Sequence, residues 1–297
     1  MREQFARVAL GLGTDEYLIE KDWHVVRVLA AIAADQNPDA RLIFTGGTCL
    51  SKAWGLIQRF SEDIDFKIEF PAGHDRQARR AVRGRLVALI AGLGYRIEGE
   101  PVVRNEGQFV QIALNYEAMF GAVPGFRPHI QAELSVRKPA VTPVARSVAS
   151  FVALARGDAP EVPSIWCADP VETAAEKLSA LAWRVVSRDR AAVNDDPTMI
   201  RHLHDLAALE AQISSDERFP ALARVVIAAD SGRGTAGRET EPAALLADMH
   251  QRLGNDQGWR VEYDAFVRDF FYGRPAQKIT FDAALEACGR IIGRMAG

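Results

Sequence analysis

Between Arg41 and Ile68 the chain reads RLIFTGGTCLSKAWGLIQRFSEDIDFKI, and no other stretch restricts the fold as much. Leu42 to Thr45 is an apolar, β-branched run that predicts a short strand. Gly46-Gly47 allows a turn that a side chain would obstruct, and Thr48 is suited to cap the helix that should start there. Leu50, Ala53, Trp54 and Ile57 fall at i, i+3, i+4 and i+7, the spacing of one buried helical face. Gly55 weakens that helix without having to end it. A second strand follows, in which Asp63 and Asp65 alternate with Ile64 and Phe66. Successive strand side chains point to opposite faces, so the apolar pair enters the core and both carboxylates emerge together on the other side.

Two neighbouring carboxylates are unfavourable unless a positive group neutralises them. A hard divalent cation does so well, and magnesium in particular keeps waters and takes further oxygen ligands from a substrate's phosphates. The turn before Thr48 complements it, because free N–H groups at a helix N-terminus accept an anion such as phosphate. A phosphate cradle at Gly46, Gly47 and Thr48 and a metal pair at Asp63 and Asp65 thus occupy consecutive elements.

The Gly-Gly-Thr turn, the helix, and then Arg59-Phe60-Ser61-Glu62-Asp63-Ile64-Asp65-Phe66 resemble the signature of the AbiEii/AbiGii toxin family, the nucleotidyltransferase-fold toxins of bacterial type IV toxin–antitoxin systems. Thr48 stands where the wider superfamily has serine, and the spacer to Asp63 is slightly long; threonine keeps the hydroxyl. The resemblance implies an α/β fold, with a mixed sheet and flanking helices carrying the metal site and a helical C-terminal domain closing the nucleotide cleft. It further implies nucleotide transfer from an NTP, with Mg2+, to an RNA acceptor, the tRNA 3′ end foremost. It also implies a winged-helix antitoxin encoded nearby. The same chemistry could serve a protein hydroxyl, and an inactive fold used for binding is the non-enzymatic alternative.

Upstream, Asp15 to Ala34 predicts a helix with Leu18, Ile19, Val25, Val26, Leu29, Ala30 and Ala33 on its apolar side. Its Glu20-Lys21-Asp22-Trp23 also resembles the family's N-terminal region; Lys21 and Asp22 read as solvated charges without a catalytic role. Downstream, His74 to Leu93 predicts a helix on which Arg76, Arg79, Arg80 and Arg83 line one face. Such a stripe either follows a nucleic-acid backbone or is simply solvated. Strands are expected at 95–98, 109–116 and 129–137. In the last, Ile130, Ala132, Leu134 and Val136 share a face, and Glu133 lies opposite. Nucleotidyltransferase folds take a third metal carboxylate from a strand beside the Asp-x-Asp strand, which makes Glu133 the candidate.

Residues 139–170 carry five prolines and read as a loop, placing a boundary between a catalytic domain at 1–160 and a helical domain at 161–297. Val171 to Ser187 then predicts a helix, started by Asp169 and Pro170, with an apolar stripe from Val171 to Val185. Thr173, Lys177, Ala180 and Arg184 form a line at its flank, where the two cations could meet a triphosphate. This segment resembles the family's second motif. Thr198 to Glu210 resembles the acidic motif that follows, which nominates Asp205 to orient Lys177 or contact base or acceptor. The tail is helical by periodicity, with 231–240 a loop, and its aromatic group of Trp259, Tyr263, Phe266, Phe270, Phe271 and Tyr272 reads as core or a docking face rather than a base-stacking platform.

Composition narrows the class. A net charge of −3 argues against a protein that coats nucleic acid through overall charge. Cys49, Cys167 and Cys288 lack metal spacing and read as reduced thiols. The absence of a long apolar run or leader pattern gives the cytoplasm as the expected location and no membrane partner.

Overall fold

In the computed structural model, which describes residues 1–35, 38–123, 125–193, 195–230 and 241–295, the Asp-x-Asp strand lies inside a mixed eight-stranded sheet. The loop expected at 231–240 falls outside the described residues. Strand β1 (Arg41–Thr45) runs antiparallel to β2 (Asp63–Glu69), and β2 runs parallel to β6 (Ile130–Val136). On one side, β6 pairs with β5 (Phe109–Asn115), which also takes the short β3 (Arg96–Ile97) and β4 (Val102–Arg104). On the other, β1 meets β8 (Val162–Cys167) in parallel, and β8 pairs with β7 (Val144–Val148).

One face of the sheet carries the core. Phe44, Ile64, Phe66, Val110, Ile112, Leu114, Ile130, Ala132 and Leu134 pack there against two helices. Helix α2 (Glu16–Asp35) follows α1 (Arg2–Leu12) and contributes Val25, Val26, Val28, Leu29 and Ile32. Helix α4 (Arg76–Gly92) contributes Val82, Leu86 and Ile90, with Val87 and Leu89 partly buried beside them. Between β1 and β2 lies α3 (Gly46–Lys52).

Helix α3 departs from the sequence reading at both ends. Its N-cap is Thr45, and Thr48 lies within the first turns. Gly46 adopts φ +74°, open to glycine but strained for other residues, so the backbone turns directly out of β1 and the helix starts earlier. The helix stops at Lys52 because Gly55, at φ +65°, reverses the chain, and the Leu56 N–H closes onto the Leu50 carbonyl. Trp54 and Ile57 are therefore beyond it.

The expected loop at 139–170 is instead two strands and a helix, β7, α5 (Phe151–Arg156) and β8. Pro163 is tolerated because it stands at the start of β8, whose recorded pairing with β1 is at Cys167, and β7 is irregular between Arg146 and Val148. The first compact unit accordingly extends to Ala168, and the second covers Asp169–Gly297.

The second unit is helical: α6 (Pro170–Ser187), α7 (Arg201–Ala208), α8 (Glu210–Ser215), α9 (Phe219–Asp230), α10 (Pro242–Asn255), α11 (Gln257–Phe270) and α12 (Phe281–Gly293). Asp169 caps α6 by accepting the Val171 N–H at 2.8 Å, and Pro170 opens the first turn, where a missing N–H costs nothing. Val171, Ala174, Ala175, Leu178, Leu181, Ala182 and Val185 are all buried, as are Trp259, Tyr263, Phe266 and Phe270, whereas Phe271 and Tyr272, just past the end of α11, are only half-buried.

Candidate active site

Strand β2 sends Ile64 and Phe66 into the core and leaves Asp63 and Asp65 partly exposed on the opposite face. Register then decides what surrounds them. Antiparallel pairing sets Thr45 opposite Asp65, so Gly46 and Gly47 fold over the Asp65 carboxylate. A Cβ on Gly46 would collide with Asp65 Oδ2 and lie 2.8 Å from its Cγ. A Cβ on Gly47 would come within 2.5 Å of Arg59 Nη2 and 3.0 Å of Ser61 Oγ. The turn is thus a close approach of bare backbone to a carboxylate, an arginine and a hydroxyl. The Thr48 hydroxyl donates to the Asp63 carbonyl, tying α3 to the first residue of β2.

Parallel pairing on the other side places Glu133 directly opposite Asp65 and Gln131 opposite Asp63. Gln131 Nε2 donates to Glu133 Oε1 at 2.5 Å. Asp63 is in an ion pair with Arg127. Among the described residues no three His, Cys, Asp or Glu side chains are gathered tightly enough to hold an ion as they stand. What the backbone fixes is an all-oxygen set of two carboxylates from one strand and a third at the facing position, the donor chemistry of a hard divalent cation.

The N-terminal charges are buried, not solvated as the sequence suggested. Lys21 is only 3% exposed and pairs with Glu62, the residue preceding Asp63. Burial lowers its pKa, and Glu62 opposes that shift. Lys21 also donates to the Arg127 carbonyl at 2.6 Å, the Tyr17 hydroxyl donates to the same oxygen at 2.7 Å, and the Arg127 N–H donates to Glu62 at 3.0 Å. The Arg127 backbone is thereby clamped where its guanidinium reaches Asp63. Asp22 pairs with Lys52 at 2.7 Å and accepts the Phe151 N–H, while Glu20 accepts the Met119 and Phe120 N–H groups.

Arg59, Arg127 and the Lys21–Glu62 pair were missed by pattern reading. For Lys21 a signal existed, since it lies three residues after Leu18 and four before Val25, on the apolar stripe itself. For Arg127, in an irregular loop, there was none.

In the second unit, Lys177 and Asp205 form a 2.7 Å ion pair with side chains 8% and 0% exposed. Arg184, farther along α6, is about half exposed and pairs with Asp196 at 3.6 Å. His202 has both ring nitrogens buried without a hydrogen-bond partner, and burial, reinforced by the Lys177 charge, holds its pKa well below the usual value. The candidates therefore fall into two groups. Gly46, Gly47, Thr48, Asp63, Asp65 and Glu133 come together on the first unit, and Lys177 meets Asp205 on the second.

The profile of the family described as "Nucleotidyl transferase AbiEii toxin, Type IV TA system" matches residues 27–287. Among solved structures, the chain resembles the nucleotidyltransferase toxin MenT4 from Mycobacterium tuberculosis H37Rv, with a TM-score of 0.53, 20% identity and 99% of each chain covered. At that identity the likeness speaks to fold. No curated protein matches the chain. No helix among the described residues is long and apolar enough to cross a membrane.

Proposed function

The chain belongs to the AbiEii family of nucleotidyltransferase toxins of type IV toxin–antitoxin systems, and from that premise we propose that it transfers a nucleotide from an NTP to an RNA acceptor, the tRNA 3′ end foremost, and so blocks translation. The observation that carries this reading is the register of β2: Asp65 stands beside Glu133 on one side and under the Gly46-Gly47 turn on the other.

In the proposed reaction an acceptor hydroxyl oxygen attacks the α-phosphorus of the NTP. The bond to the β-phosphate breaks, pyrophosphate leaves, and the hydroxyl proton passes to solvent or a nearby base. Asp63, Asp65 and Glu133 would hold magnesium, which when bound lowers the cost of negative charge at the α-phosphate and activates the hydroxyl. The chain's own groups then position. The bare backbone of Gly46 and Gly47, at the N-terminus of α3, is our assignment for the triphosphate, as are Lys177 and Arg184. Thr48 fixes α3 to β2, and Asp205 fixes the Lys177 ammonium. Such a reaction depends mainly on position and electrostatics, so removing one carboxylate costs most of the rate. A cognate winged-helix antitoxin and a cytoplasmic location complete the proposal.

The test incubates purified protein with magnesium, total bacterial RNA and each labelled NTP in turn, beside Asp63→Ala. Label on tRNA with the unaltered protein alone supports the reading. Label on protein instead of RNA, or none with any NTP, overturns it.

A further inference from the structure

The N-terminal half of α4 forms one wall of an open groove of about 1190 Å³, lined by Arg76, Arg79, Arg80 and Arg83 and, from the segment after β4, by Glu106 and Gly107. Arg76 and Arg80 are exposed, and Arg79 and Arg83 are half-buried. Among the described residues none of the four guanidinium groups has a carboxylate partner; Arg79 donates only to the Glu106 carbonyl, at 3.3 Å. Their neighbour Arg85 behaves differently. It sits outside the groove and is held by both Asp35 carboxylate oxygens at 2.7 and 2.9 Å. Two acidic residues among those described line the groove: Asp75 is occupied as the cap of α4, accepting the Ala78 N–H at 2.8 Å, and Glu106 forms no ion pair with the stripe.

Four uncompensated like charges on one helical face repel one another and weaken the helix slightly at each pair. In a chain of net charge −3, where most other helix arginines among the described residues are ion-paired, such concentration at one place is a local exception. The stripe covers about 10 Å of helix axis at 1.5 Å per residue. The groove offers no aromatic side chain on which a base could stack, so its chemistry is that of phosphate contact without base readout.

Its place in the fold limits the ligand. Helix α4 packs on the Ile64 and Phe66 face of the sheet, whereas Asp63 and Asp65 occupy the other face. The helix also begins beyond the Glu69 end of β2, so the groove and Asp63 are separated by the length of that strand, roughly 20 Å at ~3.3 Å per residue. A mononucleotide cannot span that distance. We propose that the α4 groove is a remote docking surface for the ribose–phosphate backbone of a long, structured RNA acceptor, holding the body of the molecule while its reactive end lies at the carboxylates. This rests on the RNA-acceptor reading above.

The test replaces all four arginines with glutamine, a good helix former, and separately with lysine, which keeps the charge. Affinity for bulk tRNA is measured against salt concentration, and transfer kinetics are measured with bulk tRNA and with a dinucleotide acceptor. Four phosphate contacts contribute roughly 3 to 4 to the slope of log K against log salt, the lower value for a single strand and the higher for a duplex, so the glutamine variant should lose about that much slope. Its KM for tRNA should rise about tenfold or more, with the KM for NTP and the rate on a dinucleotide unchanged. The lysine variant should keep most of the slope. An unchanged slope and tRNA KM in the glutamine variant overturns the proposal, and so does an equal loss on the dinucleotide. Competition by poly-glutamate as effective as that by RNA overturns it too, since the occupant would then be an acidic protein. If the unaltered protein transfers nothing to any RNA, the function reading fails on its own, and the salt slopes still decide the groove.

Discussion

Gly46 and Asp65 are packed so closely that the only side chain the position tolerates is hydrogen: a Cβ there would lie 2.8 Å from the Asp65 Cγ and overlap its Oδ2. The same glycine holds φ +74°, a conformation that costs an L-residue about 1–2 kcal/mol. Gly46→Ala therefore carries two penalties at once, and the cheaper escape is to displace the Asp65 carboxylate. We expect nucleotide transfer to fall by about two orders of magnitude or more while the melting temperature drops only modestly. A variant that melts normally and keeps full activity would show that the turn does not set the carboxylate. Gly47→Ala should be milder, because its nearest obstacle is the end of an arginine side chain.

The carboxylates themselves should separate activity from stability. Asp63 is about one-fifth exposed and its partner Arg127 about one-third, so their ion pair is worth no more than about 1 kcal/mol. Asp65→Asn and Asp63→Asn should change stability without magnesium by about that much or less. Binding to the folded state alone stabilises a protein in proportion to the logarithm of ligand concentration. The unaltered protein should thus melt at higher temperature as magnesium and NTP are added together, and both variants should lose that rise along with transfer. A rise that persists in both would place the cation elsewhere.

Lys177 and Asp205 are coupled in the opposite sense, since both are buried and neither can be removed alone without cost. Lys177→Met leaves the Asp205 carboxylate without its cation and should destabilise the protein by about 3–5 kcal/mol. The double variant Lys177→Met/Asp205→Leu should recover most of that loss, because a buried ion pair and an apolar pair of similar volume are often equivalent. Activity should not return with it. Denaturant unfolding of the two single variants and the double, beside a transfer assay, checks both halves, and recovery of activity in the double would make the pair purely structural.

How much of this was legible in the sequence depended on how local the determining physics is. The alternation in β2 and β6, the Asp169-Pro170 start of α6 and its apolar stripe are set by neighbours a few residues apart, and all were readable. The start of α3 was not, because it rests on a positive φ at Gly46 and on the register of β1 against β2, which only the folded sheet supplies. The stretch at 139–170 misled because its prolines fit a strand start and an irregular pairing as well as a loop. Glu133 was nominated by period two, but its position opposite Asp65 is a fact of pairing. Arg127 reaches Asp63 across 64 residues and belongs to no periodic pattern, so nothing short of the fold reveals it.

Acid should loosen the fold through a group unconnected with the carboxylates. His24 is on the buried side of α2, stacked on Tyr116 with ring centroids 4.1 Å apart, and its Nδ1 meets the Tyr95 hydroxyl at 2.8 Å. Burial, with a smaller contribution from the Arg27 charge, depresses its pKa to about 4. Glu20 approaches its Nε2 at 4.0 Å but is engaged with two backbone N–H groups. In the unfolded chain the same imidazole takes up a proton near pH 6.5. Between those values the unfolded state binds more protons, so stability falls as pH drops below about 6.5 and the decline from this group ends near pH 4. The loss amounts to at most about 3 kcal/mol. His202, depressed in the same direction, adds to the slope, so the share of His24 must be isolated by difference. Unfolding free energies of the unaltered protein and His24→Gln, measured from pH 7 to pH 4, should converge as the pH falls. Parallel curves would mean that His24 is protonated equally in both states and that its burial has no bearing on acid stability.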